Sequence, residues 1–162
     1  MGVAGSGKTT VGRGVANALR WPYYEADDFH SPENKSKMAK GMPLDDADRA
    51  PWLAAIRAKM DSCRASGQNA IFTCSALKSK YREALGRGSV LLVHLTGDFD
   101  TILARVQRRR GHYMKAEMVR SQFEALEAPA DALTFDVTEP PAKIVEAIVA
   151  RLKQIDASAA PT

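Results

Sequence analysis

The amino-terminal segment holds the residues whose types and spacing indicate a definite chemistry. It reads Gly2-Val3-Ala4-Gly5-Ser6-Gly7-Lys8-Thr9, in which glycines flank a short turn and lysine and threonine follow. Such glycines let backbone amides surround a phosphate group, and a helix that follows adds the positive end of its dipole. The lysine of this pattern reaches the β- and γ-phosphates, and the threonine hydroxyl ligates Mg²⁺. The segment predicts a nucleotide-phosphate site with a catalytic Lys8, built from Gly2, Gly5, Ser6, Gly7, Lys8, Thr9 and Thr10. The alternative is a glycine-rich turn before an amphipathic helix.

Acidic residues follow the next predicted strand. Glu25, Asp27 and Asp28 stand just before Phe29 and His30. Carboxylates at the carboxyl end of a parallel strand face the crevice where ligands bind. Asp27 could orient or deprotonate an attacking hydroxyl, and Glu25 could hold a water bound to Mg²⁺. The alternative is an acidic turn that only caps a helix.

Basic residues cluster in one run, formed by Arg105, Arg108, Arg109, Arg110 and His112. Three interpretations are open: a solvated helix face, a clamp for phosphate, or a nucleic-acid patch. The run has no interleaved aromatic residues on which bases could stack, which disfavours the nucleic-acid patch.

Apolar runs alternate with helical patterns along the rest of the chain. Continuous apolar runs predict buried strands at 70–74 and 90–95, with weaker strand candidates at 21–26 and 133–137. A final helix is predicted to begin at Pro140-Pro141. This alternation predicts an α/β fold, a parallel sheet covered by helices on both faces.

One strand is expected to be absent. A phosphate loop normally connects a buried strand to a helix, yet only Met1 precedes Gly2. Either the start codon has been assigned to an internal methionine or the chain is truncated. Loss of a central strand leaves backbone groups of its neighbours unpaired. We therefore expect residues added upstream to restore an apolar strand and raise stability.

Length and composition agree with one domain over residues 1–162. Apolar residues make up 45% and charged residues 26% of the chain, which excludes a disordered or collagen-like protein. The formal net charge of +4 is too small to indicate a nucleic-acid partner by itself, and no apolar run is long enough to span a membrane. Cys63 and Cys74 are expected to be reduced thiols of a cytoplasmic protein.

Two segments are predicted to serve the site. Residues 29–53 are polar, contain three prolines and are expected to bind the substrate, with a short helix at 33–40. A long irregular connection inside a compact domain is usually functional. Residues 108–115 are a second candidate for a mobile element, a lid.

Beyond these patterns, the chain resembles the gluconate kinase (gluconokinase) family of P-loop small-molecule kinases. The resemblance joins four separated motifs in the family's order and covers nearly the whole chain. The first motif is the phosphate loop. The second comprises Asp27-Asp28-Phe29-His30, Asn34, Lys37-Met38, Gly41, Pro43-Leu44, Asp46, Asp48-Arg49 and Pro51-Trp52-Leu53. The third comprises Cys74-Ser75-Ala76-Leu77-Lys78 and Tyr81-Arg82. The fourth comprises Gly111-His112-Tyr113, Ser121-Gln122-Phe123-Glu124 and Leu126-Glu127-Ala128-Pro129.

The resemblance implies a P-loop NTPase fold similar to nucleoside monophosphate kinases. It also implies ATP- and Mg²⁺-dependent phosphorylation of D-gluconate on its 6-hydroxyl, to 6-phospho-D-gluconate, by a homodimer. Arg49 and Arg82 would bind the carboxylate, since guanidinium is a planar bidentate donor. Other polar substrate contacts would come from Asp27, which also acts on the hydroxyl, and from His30, Ser75, Lys78 and His112. Arg105 and the catalytic Arg109 resemble the lid arginines that close over ATP. Glu25 departs from the aspartate of many relatives.

Alternatives to these roles and to this activity remain at this point. Arg49 could instead pair with Asp45, Asp46 or Asp48, and Arg82 could pair with Glu83 or lie along the core. The chain could also be a kinase of shikimate or of a nucleoside monophosphate, a nucleotide-dependent nucleic-acid-binding module, or an inactive truncated relative.

Overall fold

The computed structural model describes residues 1–86, 90–108 and 116–159. Seven α-helices, one 3-10 helix and four short strands occur in the described residues. In chain order they are α1 (Lys8–Leu19), β1 (Tyr23–Glu25), the 3-10 helix (Ala26–Phe29), α2 (Pro32–Ala39), α3 (Asp46–Ala65), β2 (Ile71–Thr73), α4 (Ser79–Ala84), β3 (Val93–Thr96), α5 (Phe99–Arg108), α6 (Ala116–Glu124), β4 (Leu133–Asp136) and α7 (Pro141–Ala159). All four predicted strands are confirmed, and the α/β fold with them.

The strands form two separate parallel pairs. β1 pairs with β2 so that Glu25 lies opposite Thr73, and β3 pairs with β4 so that Leu95 lies opposite Phe135. Both connections run through helices, as parallel pairing requires. In the described residues the expected parallel sheet is thus present as two separate halves.

Met1 and Gly2 lie between these two half-sheets and are bonded to both of them. The Met1 amine donates to the carbonyl of Val93, and the Met1 carbonyl accepts a bond of 2.9 Å from the amide of Leu95. On the other side, the amide of Gly2 donates to the carbonyl of Ser75, just after β2, at 3.3 Å. We call these two residues the seam. It joins β3 to the end of β2 and leads directly into the turn before α1.

Two apolar cores hold the helices onto the half-sheets. The larger core contains Val11 and Val15 of α1, Ile102 of α5 and Ile148 of α7. The smaller core lies beneath the predicted substrate segment and is centred on Ile56 of α3, which is fully buried. The nucleotide-side elements and the substrate-side elements therefore rest on different cores.

The predicted substrate segment is more helical than its sequence suggested. Residues 29–53 contain the whole of α2, which confirms the short helix predicted at 33–40, and the first turns of α3, which replace part of the irregular connection predicted there. Pro32 stands in the first turn of α2, where a missing N–H costs nothing. α3 begins at a capping box between Asp45 and Asp48, and it continues through Pro51.

Candidate active site

The phosphate loop turns through two glycines with left-handed backbone. Gly5 has φ 83° and Gly7 has φ 88°, conformations that favour glycine. Gly7 immediately precedes the first residue of α1, and no side chain caps the helix there. The first amides of α1 are therefore directed at the space in front of the loop, where an anion is stabilised.

Inside the loop, polar groups are held close together. The Lys8 ammonium donates to the carbonyl of Val3 at 2.9 Å, and this bond folds its side chain back along the loop. The hydroxyl of Ser6 is buried and has no hydrogen-bond partner among the described residues. Thr10 is exposed in the first turn of α1. The predicted nucleotide-binding residues thus occupy one turn and the helix start that follows it.

Helix α5 packs directly on the phosphate loop. A Cβ atom built on Gly5 would lie 2.5 Å from Cγ2 of Val106, so no larger residue fits there without moving α5. The neighbouring Arg105, a predicted nucleotide-binding residue, donates to the carbonyl of Val137 at the end of β4. Arg105 is therefore on the helix that contacts the loop, with its guanidinium fixed to the β3–β4 half-sheet.

The carboxylate of Glu25 lies at the centre of a network of three hydroxyls. Thr9 donates to Oε2 at 2.9 Å, Tyr23 donates to Oε2 at 2.5 Å, and Thr73 donates to Oε1 at 2.7 Å. Burial of the phenol, with its hydrogen bond to Glu25, raises the pKa of Tyr23. The structure brings together Thr9 and Glu25, the two residues predicted for the magnesium site.

These groups suit magnesium. Hydroxyl and carboxylate oxygens are ligands that Mg²⁺ accepts, and it commonly takes few protein ligands together with waters and substrate phosphates. No cluster of three or more His, Cys, Asp or Glu side chains able to hold a metal is found in the described ranges. Thr9 and Glu25 are the residues that would hold the ion at the loop.

Asp27 and His30 lie at the ends of the 3-10 helix that follows β1. Asp27 is exposed, while His30 is buried and stacks on Trp52 with ring centroids 4.5 Å apart. Burial lowers the pKa of His30, and the Asp27 charge opposes that effect. Burial also raises the pKa of the Cys74 thiol to about 11, with smaller influences from the charges of Asp27 and Lys8. The Cys74 thiol is free and packs in the core, as expected.

A cleft of about 310 Å³ gathers three of the predicted substrate residues. Its walls include Arg49 of α3, Ser75 and Lys78 from the loop after β2, and the ring of Tyr81 from α4. The Arg49 guanidinium lies 5.6 Å from the centroid of the Tyr81 ring, and its Nε donates to the carbonyl of Leu44 at 3.3 Å. Two cations, Arg49 and Lys78, thus line the cleft, together with the carboxylates of Asp45 and Asp46.

The neighbouring carboxylates have other partners. Asp48 pairs with Lys37 at 2.6 Å and Asp46 pairs with Lys80 at 2.5 Å. Within the described ranges Arg49 forms no ion pair with them. The alternative in which Arg49 only neutralises an adjacent aspartate is not what the geometry shows.

Arg82 does not lie in the substrate cleft, which corrects its prediction as a substrate contact. Its side chain is buried, and Nη1 donates to the carbonyls of Ala76 at 3.0 Å and Leu77 at 2.9 Å. Ala76 has a left-handed φ of 43°, so this loop needs external support. Arg82 braces the loop that carries Ser75 and Lys78. Neither alternative for Arg82, pairing with Glu83 or lying along the core, predicted these bonds to backbone carbonyls.

Arg109 and His112 lie outside the described residues, as does the predicted lid beyond Arg108. Their roles therefore stay predictions.

Four residues that contribute to the site were not predicted from the sequence. Tyr23 and Thr73 share one face of neighbouring strands with Glu25, and the two-residue alternation of strands would have found them. Gln122 of α6 accepts a bond of 2.7 Å from the amide of Ala4 in the phosphate loop. Tyr81 hydrogen bonds to Asp46 at 2.7 Å, a contact that joins α4 to α3. No local pattern indicates the last two contacts, because they join elements far apart in sequence.

Comparison with known proteins agrees with this geometry. The shikimate kinase family model matches residues 4–153. A probable gluconokinase of Rattus norvegicus is 42% identical, with 94% of this chain and 95% of the relative covered. The chain belongs to the gluconokinase family. It is therefore a kinase with the P-loop fold, a phosphotransferase.

Two solved structures are also similar in fold. The crystal structure of a gluconokinase from Sinorhizobium meliloti 1021 has a TM-score of 0.85 and 39% identity, covering 99% of this chain and 95% of that one. That of a sugar kinase from Janibacter sp. HTCC2649 has a TM-score of 0.86 and 43% identity, covering 94% and 91%. The resemblance stated from the motifs is confirmed.

No helix in the described ranges combines the length and the apolar character needed to cross a membrane.

Proposed function

We propose that this protein transfers the γ-phosphoryl group of ATP to the 6-hydroxyl of D-gluconate, giving 6-phospho-D-gluconate and ADP. One observation carries the proposal. The seam places the phosphate loop next to Ser75, through the bond from the Gly2 amide to the Ser75 carbonyl, and Ser75 lines a cleft with two cations. The phosphate loop therefore adjoins a cleft that carries two cations able to pair with an acid, besides the carboxylates of Asp45 and Asp46. The identification of the acid as gluconate comes from the names of the relatives, which are gluconokinases.

At the nucleotide end, catalysis depends on charge stabilisation and on the positioning of the phosphates. Backbone amides of the loop and the start of α1 bind the phosphates, and Lys8 stabilises the negative charge that develops on the transferred group. Mg²⁺, when bound beside Thr9 and Glu25, neutralises phosphate oxygens. Gluconokinase relatives and the donor set both support ATP with Mg²⁺ as the nucleotide species.

At the acceptor end, Arg49 binds the carboxylate of gluconate, with Lys78 as a second cation, while Ser75 contacts hydroxyls. Asp27 accepts the proton of the 6-hydroxyl as its oxygen attacks the γ-phosphorus. His30 stacks on Trp52, a residue that lines the same cleft. Arg82 supports the cleft from behind.

The proposal also includes two segments: a substrate-binding segment at 29–53 and a lid at 108–115. It assigns nucleotide binding to Arg105 and Arg109 and a substrate contact to His112. Closure of the lid would bring arginines to the phosphates and expel water. We further propose a cytoplasmic homodimer with no nucleic-acid or membrane partner. Light scattering of the purified protein tests the dimer, and titration with DNA and RNA at two salt concentrations tests the partner.

The deciding experiment is a coupled ADP-release assay with gluconate, shikimate and AMP at equal concentration. We expect Mg²⁺-dependent turnover with gluconate and at most background with the other two. Turnover with shikimate or AMP alone would overturn the proposal and favour the corresponding kinase. The Lys8→Ala variant controls for contaminating activity.

A further inference from the structure

Helix α6 and the turn after it are bonded to both ends of the site. The side-chain oxygen of Gln122, in α6, accepts the amide of Ala4 in the phosphate loop at 2.7 Å. A little further along the chain, Glu127 bonds to the backbone at the end of the acceptor loop, the connection 74–78 between β2 and α4. We call residues 122–127 the bridging segment, because they reach from the nucleotide end to the acceptor end.

Glu127 holds the backbone on both sides of Lys78, a cation of the substrate cleft. Its amide donates to the carbonyl of Leu77 at 2.9 Å, and its carboxylate accepts the amide of Ser79 at 2.6 Å. Ser79 is the first residue of α4. The first amides of a helix have no partner within it, and the Glu127 carboxylate supplies one from a distant part of the chain. The backbone from which the Lys78 side chain starts is thereby fixed.

Glu127 supports the acceptor loop in a different way from Arg82. Arg82 is buried and bonds to the carbonyls of Ala76 and Leu77, so its loss leaves buried groups without a donor. Glu127 is exposed, and removal of its carboxylate creates no cavity. A substitution of Glu127 therefore acts on the loop while the apolar packing of the chain stays as it is.

Gln122 ties the phosphate loop to a helix that is itself well anchored. Val119 of α6 is fully buried in the larger core. Phe123 meets Phe99 of α5 edge-on, with ring centroids 5.6 Å apart. A polar side chain on such an anchored helix can hold its partner in one position, so the bond to Ala4 fixes the phosphate loop relative to α6.

We propose that the bridging segment sets the position of the phosphate loop relative to the acceptor loop, with Gln122 and Glu127 as positioning residues for the two ends. Between them, Ala125 lines the substrate cleft itself. Phosphoryl transfer needs the attacking oxygen in line with the phosphorus, and a misplacement of about 1 Å can cost about a hundredfold in rate. The inference rests on the proposed function, which identifies the acid as gluconate.

The kinetic test is a crossed pair of variants. Gln122→Met removes the acceptor oxygen, and we expect the KM for ATP to rise about threefold to tenfold with little change in the KM for gluconate. Glu127→Ala should show the reverse pattern. Glu127→Gln keeps an oxygen that accepts the Ser79 amide, so it should restore most of the loss. Glu124→Ala, at an exposed position of the same segment, is the matched control and should behave as the parent.

The crossed pattern distinguishes positioning from a general structural role. A variant that only loosens α6 would raise both KM values together and lower the melting temperature. Equal rises in both KM values would therefore overturn the proposal, and so would parental kinetics in both variants. Failure of Glu127→Gln to restore the KM for gluconate would contradict the role assigned to the bond with Ser79.

Two measurements without turnover separate failure of this inference from failure of the proposed function. Calorimetric titration with a non-hydrolysable ATP analogue should show binding about threefold to tenfold weaker in Gln122→Met and unchanged in Glu127→Ala. In Glu127→Ala the Ser79 amide should exchange hydrogen about tenfold faster, relative to the Leu85 amide, which bonds to Tyr81. If both results hold and gluconate is not phosphorylated, the proposed function fails and the bridging segment stands. If neither quantity changes, the bridging segment is wrong whatever the acceptor.

Discussion

The nucleotide end and the acceptor end of the site are built in different ways. At the nucleotide end, the ligand groups are backbone amides and short side chains, and the Glu25 carboxylate is fixed by three hydroxyls. At the acceptor end, Arg49 of α3 meets Lys78 and Tyr81, from the start of α4, through ring contacts of 5.6 and 6.0 Å. The first end is organised before any ligand binds, whereas the second rests on long side chains that can adjust.

This difference teaches where specificity resides. Phosphates look alike in every nucleotide, so a rigid cradle serves them all. Acids of different shape are distinguished by side chains that approach from several directions, and a change in any one of them alters the choice of acceptor. Substitutions at the two ends should therefore damage different kinetic parameters.

The largest effect is expected at Lys8. Lys8→Ala removes the cation that neutralises charge on the transferred group, and we expect kcat to fall by about a hundredfold to a thousandfold. The fold should persist, as judged by circular dichroism and by a melting temperature near that of the parent. Lys153→Ala, at an exposed position of α7, is the matched control and should retain full activity. A rate above a tenth of normal in Lys8→Ala would contradict the role.

Arg49 should separate the two ends. We expect Arg49→Ala to raise the KM for gluconate about tenfold to a hundredfold, the value of a charge-assisted hydrogen-bonded pair, with little change in the KM for ATP. Arg57→Ala is the control on the same helix, because Arg57 pairs with Asp61 at 2.8 Å, away from the cleft. Equal rises in both KM values would indicate general damage to the domain.

A smaller effect is expected at the phenol that holds Glu25. Tyr23→Phe removes one of three donors to the carboxylate, and we expect the Mg²⁺ concentration for half-maximal activity to rise about tenfold. Calorimetric titration of Mg²⁺ with a non-hydrolysable ATP analogue should show the same shift without turnover. Tyr24→Phe is the matched control, since the Tyr24 ring stacks on Phe72. A change in the KM for gluconate alone would argue that Tyr23 serves the acceptor end.

The smallest effect concerns pH. The pKa of the Met1 amine is about 5 in the folded protein against 8.0 as its ordinary value. Between these values the unfolded chain binds more protons, so stability should increase as pH rises. From about pH 7 to about pH 8 we expect a gain of about 1 kcal/mol in the free energy of unfolding. The charged and titratable groups beside the amine are Lys8, Cys74 and His94.

Denaturant unfolding at the two pH values measures this gain. A chain with a glycine-serine extension has no amine at Met1, and its stability should lack the increase. If both forms gain equally, another group is responsible.

How far the sequence predicts the molecule depends on the range of the contacts. The phosphate loop can be predicted because the residues that bind phosphate are consecutive. The role of Glu25 can be predicted because this residue stands at the end of a strand. Two of the strands lie in short continuous apolar runs and two in weaker patterns, and all four were identified. Helical structure at 29–53 was underestimated, since the prolines there stand where a helix tolerates them and do not interrupt it.

The acceptor cleft shows what sequence leaves open. Arg49 and Arg82 are the same residue type in similar helical surroundings, yet one reaches the cleft and the other bonds to Ala76 and Leu77 beneath it. The direction of a long side chain follows from packing between elements, which spacing along the chain does not encode. The contact of Gln122 with Ala4 has the same origin.

The seam has a thermodynamic consequence. Met1 and Gly2 hold the two half-sheets together and are also the entrance to the phosphate loop. A nucleotide that immobilises the loop therefore also opposes separation of the halves. Nucleotide binding and the association of the two half-sheets are therefore linked equilibria. Nucleotide at a hundred times its Kd raises the free energy of unfolding by about 2.7 kcal/mol.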